Sequence, residues 1–226
     1  MRRYKAEFIE FLVGAGVLTF GDFTTRSGRQ TPYFINTGNY RTGGQLARLG
    51  EFYARAINEH WGRDFDNLYG PAYKGIPLAV AAGIALNAEH GHNVTVTYNR
   101  KEAKDHGERG GIIGHRYDGS ERVVIIEDVI TAGTSLRETM GILAENGNPQ
   151  VAGVIVSVDR MERGRDSLSA LEEIKAEFNF PVRAIVNVRE IIVHLHNHPI
   201  KDKVYINDDM KQRMEEYLRE YGVEII

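Results

Sequence analysis

The chain has 226 residues, 42% of them hydrophobic, with a formal net charge of -3 and no cysteine. That length suits one large domain, or one domain with a small appendage, and supplies enough apolar residues for a sizeable core. The mildly acidic balance argues against a general basic surface for nucleic acid, and the absence of thiols excludes disulfides and thiolate metal sites, in keeping with a reducing cytoplasm.

At the start, acids interrupt the apolar residues of MRRYKAEFIEFLVGAG, unlike a secretory signal. The longest apolar run, IPLAVAAGIAL, is far short of the ~20 residues that span a bilayer. A soluble, cytoplasmic protein is the expectation, engaging neither membrane nor nucleic acid. Phe8, Ile9, Phe11 and Leu12 recur at helical spacing and predict a helix over residues 2–14, ended at Gly14 or Gly16. YFINTGNY (33–40) reads as extended, and TGGQLARLGEFYARAINEH (42–60) as a second helix.

From residue 67 strands and helices alternate. NLYG, VTVTYN, ERVVIIED, VAGVIVSVD and VRAIVNV read as strands, the last of these closing the series. IPLAVAAGIALNAEH, TSLRETMGILAENG and SLSALEEIKAEF read as the helices between them. Strands apolar on both faces, alternating with helices, predict a mostly parallel sheet covered on both sides. Ligands of such sheets bind beyond the carboxyl ends of the strands, so the residues that follow each strand are the ones to inspect.

The most informative of these is VVIIEDVITAGTS, residues 123–135. A buried strand ends in two carboxylates, Glu127 and Asp128, and a short turn leads through Thr131, Ala132, Gly133, Thr134 and Ser135 into a helix. Small residues at a helix N-terminus let backbone N–H groups approach an anion, and hydroxyls can add to them. The Walker lysine is absent, so this is phosphate binding of another kind. Adjacent acids suit a ribose diol, and an ordinary capped strand-to-helix turn accounts for them less well.

The segment resembles the phosphoribosyl diphosphate (PRPP) signature of type I phosphoribosyltransferases. In that family the loop holds the 5-phosphate and the acids hold the ribose hydroxyls. GPAYKGIP (70–77), where glycines permit close backbone approach and Lys74 offers a point charge, resembles the family's diphosphate loop as found in orotate phosphoribosyltransferases. FTTRSGRQTPYFIN (23–36) is similar to the N-terminal hood of those enzymes, with Arg26 where the family has lysine. RKEAKDHGE (100–108), a charged run with no apolar stripe, closely resembles their mobile catalytic loop. VSVDRMERGRD carries their DRxERG pattern.

The resemblance runs from about residue 20 to 165 and implies a type I phosphoribosyltransferase fold in a single domain. A small N-terminal hood (about 1–42) would join an α/β core (about 67–190). It further implies Mg²⁺-dependent transfer of ribose 5-phosphate from PRPP to orotate, giving orotidine 5′-phosphate and diphosphate in pyrimidine biosynthesis. PRPP contacts would come from Tyr73, Lys74, Arg100, Lys101, Lys104, His106, Glu127, Asp128, Val129, Ile130, Thr131, Ala132, Gly133, Thr134 and Ser135. Orotate would meet Arg26, Phe34, Ile35, Thr131 and Arg160, with Arg163 as the alternative to Arg160.

Lys101, Lys104, His106 and Asp128 would be catalytic, His106 either as an acid for the leaving group or as an electrostatic contact. Mg²⁺ is expected on the diphosphate and ribose oxygens of PRPP, with no all-protein metal cage. A homodimer is implied, the loop at about 100–111 reaching the neighbouring subunit's site. A purine-using relative should lack the KxxKDHG and SGRxTPYF segments, and a PRPP-sensing regulator should carry a DNA-binding extension or a basic surface. HLHNHP (194–199) is read as a surface histidine cluster with no acid nearby to complete a metal set, although His194 and His198 would share a face if helical. Trp61 and DDMKQRMEEYLREYG (208–222) are read as packing or dimer surface.

Overall fold

The computed structural model describes residues 1–25, 28–101, 111–130, 133–164 and 168–223. Helix α1 (Arg3–Gly14) leads into a hairpin of β1 (Leu18–Thr24) and β2 (Gln30–Ile35). Then follow α2 (Gly43–Trp61), β3 (Asn67–Tyr69), α3 (Gly75–His90), β4 (Thr95–Asn99) and β5 (Ile112–Gly114). Next come β6 (Arg122–Ile126), α4 (Thr134–Glu145), β7 (Gln150–Asp159), α5 (Ala170–Phe178) and β8 (Val182–Asn187). The chain ends with α6 (Val188–Leu195), the short pair β9 (Pro199–Ile200) and β10 (Lys203–Val204), and α7 (Asp208–Tyr221).

Six strands form the central sheet in the order β5-β4-β3-β6-β7-β8, all parallel except β5, which pairs antiparallel with β4. Successive residues of β6 face opposite layers. Val124 and Ile126 pack with α1, α2, α3 and α6, whereas Val123 and Ile125 pack with α4 and α5. All four side chains have no solvent exposure, which is why the strand reads as an unbroken β-branched run rather than an alternating one. Strand order grows outward in both directions from β3 and β6, so the topological switch point lies between these two, at their carboxyl ends.

The expected elements from residue 42 to 188 are present within a residue or three of their predicted ends. Thr42 starts α2 through a capping box with Gln45, the reciprocal pairing that satisfies two of the orphan N–H groups. Besides the short strand β5, which no predicted element covers, two local features differ from expectation. Of YFINTGNY only the first residues are extended, because Asn36 accepts from Gly38 N–H and turns Thr37–Asn39 into a 3-10 turn. After β8 the chain goes directly into α6, since Asn187 and Glu190 form another capping box at the strand's last residue. No described helix is long and apolar enough to cross a membrane.

Two contacts fix the layers around the sheet. Trp61 Nε1 donates to Ala152 O at 3.0 Å, tying the end of α2 to β7. Helices α2 and α3 meet where Gly50 has no side chain: a Cβ there would lie 2.5 Å from Ala81 O and 2.9 Å from Ala81 Cβ. Gly50→Ala is therefore expected to push the two helices apart and destabilise the protein by about 1–3 kcal/mol, despite alanine's better helix propensity. Denaturant unfolding of the two proteins checks this, and an unchanged or higher midpoint would show that the helix contact yields freely.

Candidate active site

Glu127 and Asp128 stand immediately beyond β6 at the switch point, and both are 7% exposed. Carboxylates that deep need partners. Ser135 Oγ, in the first turn of α4, donates to Glu127 Oε1 at 2.6 Å. Asp128 Oδ2 accepts from Thr37 Oγ1 at 2.6 Å and from Lys74 Nζ at 2.8 Å, and Lys74 also reaches Thr37 Oγ1 at 3.0 Å. Asp128 Oδ1 accepts the Val129 N–H at 2.8 Å. The backbone beneath is held as firmly: Tyr53 OH donates to Glu127 O at 2.8 Å and Ser157 Oγ to Asp128 O at 2.6 Å.

The two acids differ electrostatically. Burial, with Asp128 adding like charge beside it, raises the Glu127 carboxyl from 4.5 to about 7, against the opposing hydrogen bond from Ser135 and the charge of Lys74. Near neutrality Glu127 thus sits close to its midpoint, where a nearby ligand or cation can set its charge.

Lys74 arrives from the turn between β3 and α3. Gly70 and Gly75 close this turn so tightly that a Cβ on Gly70 would lie 2.2 Å from Gly75 O. Glycine at both ends is a steric requirement there, whatever the turn binds. Ala72 N–H donates to Asn99 Oδ1 at 2.8 Å, fastening the turn to the end of β4, and the Ala72–Tyr73 peptide is cis. Tyr73 is 64% exposed, and Lys101 Nζ stands 5.2 Å from its ring centroid. Arg100 N–H donates to Gly111 O at 2.9 Å, closing the base of the charged loop onto β5. Ala72, Arg100, Lys101, Thr134 and Ser135 border an open cleft of about 680 Å³.

Gly133 caps α4 in the left-handed region at φ 70°, with Ile174 so close that a Cβ would lie 2.6 Å from its Cδ1. Helix α4 thus opens just beyond β6 with Thr134 and Ser135 in its first turn, and free N–H groups at such a helix start are able to hold an anion. Val129 and Ile130 lead toward this helix start, Ile130 being 8% exposed and packed with the α4–α5 layer. Of the residues singled out from sequence, Arg26, Lys104, His106, Thr131 and Ala132 lie outside the described residues.

On the hood, Phe34 is 38% exposed and stacks on Phe23 at 5.6 Å, and Ile35 is half-buried. Arg160, next to the end of β7, lies over the Tyr33 ring at 4.6 Å and donates twice to Glu162 Oε1, at 2.9 and 2.6 Å. Tyr33 OH and Tyr217 OH donate to the same oxygen. Glu162 is thus a hub joining β2, β7 and α7, a role that its sequence context of alternating charges hides. Arg163 is instead exposed, with its guanidinium on Glu220 O and its N–H on Tyr221 O.

Sequence reasoning also passed over Thr37, since nothing marks a threonine in a polar NTG turn as a partner of a carboxylate 91 residues away. The histidine segment is a correction. An acid does stand beside it: Glu10 of α1 lies 3.1 Å from His194 Nε2. The acid was invisible because it comes from the opposite end of the chain.

Glu127 titrates with a consequence for stability. Its native carboxyl is raised above the unfolded value, so the native state's preference for the neutral form contributes fully below about pH 4.5 and is lost as pH rises through about 7. Glu127→Gln removes that loss and should gain on the parent between pH 5 and pH 8 by up to about 3 kcal/mol. Urea unfolding of both proteins across that range checks it; parallel pH profiles would mean that Glu127 ionises normally.

A family model described as the phosphoribosyl transferase domain matches residues 36–184, a span that contains the sheet, the acid pair and the Lys74 turn. An orotate phosphoribosyltransferase of Lachnoclostridium phytofermentans is 53% identical over 224 residues, 99% of this chain and 100% of the relative. That of Clostridium acetobutylicum is 54% identical over 223 residues, again 99% and 100%. The crystal structure of the Francisella tularensis orotate phosphoribosyltransferase superposes with a TM-score of 0.82 at 35% identity, covering 96% of this chain and 99% of that one. Likeness of that depth, over both whole chains and in the fold itself, shows that the protein belongs to the orotate phosphoribosyltransferases.

Proposed function

We propose that the protein transfers ribose 5-phosphate from PRPP to N1 of orotate, releasing diphosphate and forming orotidine 5′-phosphate. The observation that carries this reading is the switch-point cluster. Two buried carboxylates stand beside a helix N-terminus of small and hydroxyl residues, with a lysine from the facing turn on one of them. A phosphorylated sugar fits that arrangement. Glu127 and Asp128 accept from the two ribose hydroxyls, and Val129 to Ser135 surround the 5-phosphate, with Thr131, Gly133 and Thr134 nearest by sequence. Tyr73 and Lys74 face the diphosphate.

Displacement at the anomeric carbon builds positive charge on the ribose and negative charge on the leaving oxygen. The acid pair stabilises the first, and Arg100, Lys101, Lys104 and His106 stabilise the second. Lys74, now on Asp128, is available to trade that carboxylate for a diphosphate oxygen. Orotate enters as an anion, so no strong base is needed. Phe34, Ile35, Thr131 and Arg26 border its ring, and Arg160 meets its carboxylate. Neutralising charge for the leaving group would be supplied by Mg²⁺ expected to arrive with PRPP, and Glu127 and Asp128 would be the hard oxygen donors at hand.

The working form is a homodimer in the cytoplasm, each charged loop serving the neighbouring site. Val80 and Ile84, 41% and 68% exposed on α3, form with Leu46 and Ala47 of α2 an apolar strip suited to burial between subunits.

Orotate absorbance in the presence of PRPP and Mg²⁺, run beside hypoxanthine, adenine and uracil, tests the reaction. Turnover of orotate alone is expected, and its absence would refute the proposal. Lys104→Ala should lower kcat roughly 10²-fold or more, the scale of losing one charge-stabilising group. Its unfolding midpoint should stay close to the parent's. An unchanged rate would remove Lys104 from the chemistry.

A further inference from the structure

The histidine segment after α6 has no part in the chemistry above, yet its side chains are sorted with care. His196 turns toward α7, where its Nε2 is 2.8 Å from Asp208 Oδ1 and Asn197 Nδ2 donates to the same oxygen at 2.9 Å. His194 and His198 turn the other way, toward α1. Helix α6 ends at Leu195, so these two do not share a helix. Asn197 takes a left-handed turn at φ 52° instead, and His198 N–H donates to Leu195 O at 3.2 Å. The turn brings the two rings together, tilted by 38° with centroids 5.1 Å apart. Glu10 meets them from α1, its Oε1 3.1 Å from His194 Nε2. One ligand atom from each of the three lies within 4.8 Å of the other two.

We propose that Glu10, His194 and His198 form a binding site for a borderline divalent transition cation, Zn²⁺ being the best fit. Two imidazoles and one carboxylate are the donors such ions choose, whereas Mg²⁺ and Ca²⁺ require oxygen shells. With metal–ligand distances of about 2.0–2.1 Å, tetrahedral ligands stand about 3.4 Å apart. The Glu10–His194 pair is already within a few tenths of an ångström of that. His198 is exposed, and the Glu10 side chain is 42% exposed, so rotamer changes alone can close the widest separation. The fourth position faces solvent beside His198 and takes water.

The support behind the ligands is already ordered. Lys5 Nζ and Glu190 Oε1 form a 2.9 Å ion pair one turn away, holding α1 and α6 in register. Glu190 is further committed to the cap of α6. Glu10 is therefore the carboxylate left to the histidines among the described residues of this face. A bound ion would join the first helix to the end of α6, far apart in sequence, without touching the acid pair of the reaction.

The test uses the full chain without a histidine tag, stripped with EDTA and titrated with Zn²⁺ or Co²⁺ in excess Mg²⁺. A single equivalent is expected to bind per chain, with visible Co²⁺ bands of tetrahedral intensity and no thiolate transition, since the chain has no cysteine. His198→Ala and Glu10→Gln should each weaken binding at least about tenfold and abolish the rise in Tm that Zn²⁺ gives the parent. His196→Ala should leave both intact. His198 is exposed, so its variant folds whether or not a metal binds. Failure of the parent to take up an equivalent, or undiminished affinity in His198→Ala, would overturn the site.

Discussion

Two adjacent carboxylates at the mouth of a fully buried strand form the constraint on which the rest of this molecule is organised. Each residue is only 7% exposed, so protein must supply most of what water would. The supply comes from five directions. Tyr53 of α2 and Ser157 of β7 hold the carbonyls of the pair, and Ser135 of α4 holds the first carboxylate. Thr37 of the hood turn and Lys74 of the β3–α3 turn hold the second. Each hydrogen bond is modest alone. Together they mean that the helices on both faces of the sheet, and the hood, all register on a single dipeptide.

The same cluster explains how the site can be both charged and stable. Lys74 sits on Asp128 with most of its side chain in solvent, so this ion pair is held by geometry more than by burial. Glu127 avoids the repulsion by holding its proton near neutrality. A ligand that brings hydroxyls to the acids and oxyanions to the lysine replaces both arrangements at once.

Much of this was legible in the sequence, for identifiable reasons. β-Branched runs such as VVII and VIVSV specify strands covered on both faces, and the acids, small residues and hydroxyls after 126 follow at fixed short range. Much that depends on residues close in sequence was therefore readable, including the turn that carries Lys74, although the Asn36 turn and the Asn187–Glu190 cap were not. Long-range pairings were not. Thr37 on Asp128, Tyr33 and Tyr217 on Glu162 and Glu10 beside His194 are set by how the layers stack, and no local pattern encodes them. The β5 strand was missed because three residues, IIG, pair with β4 only by virtue of the sheet already there. The roles of the individual residues in binding rest on the family's motifs and on chemistry.

The base of the charged loop has a separate thermodynamic meaning. Strand β4 and strand β5 are antiparallel neighbours, and the Arg100–Gly111 hydrogen bond brings the two ends of the intervening segment together at one point. The sheet has therefore already met the closure requirement that a free chain would face. Beyond that point, added length enters only logarithmically, at about 0.6 kcal/mol for each doubling. The length of the segment is thus almost decoupled from the stability of the fold. Natural variation in this protein can lengthen or shorten this segment at little thermodynamic consequence, leaving selection there to act on what the residues do.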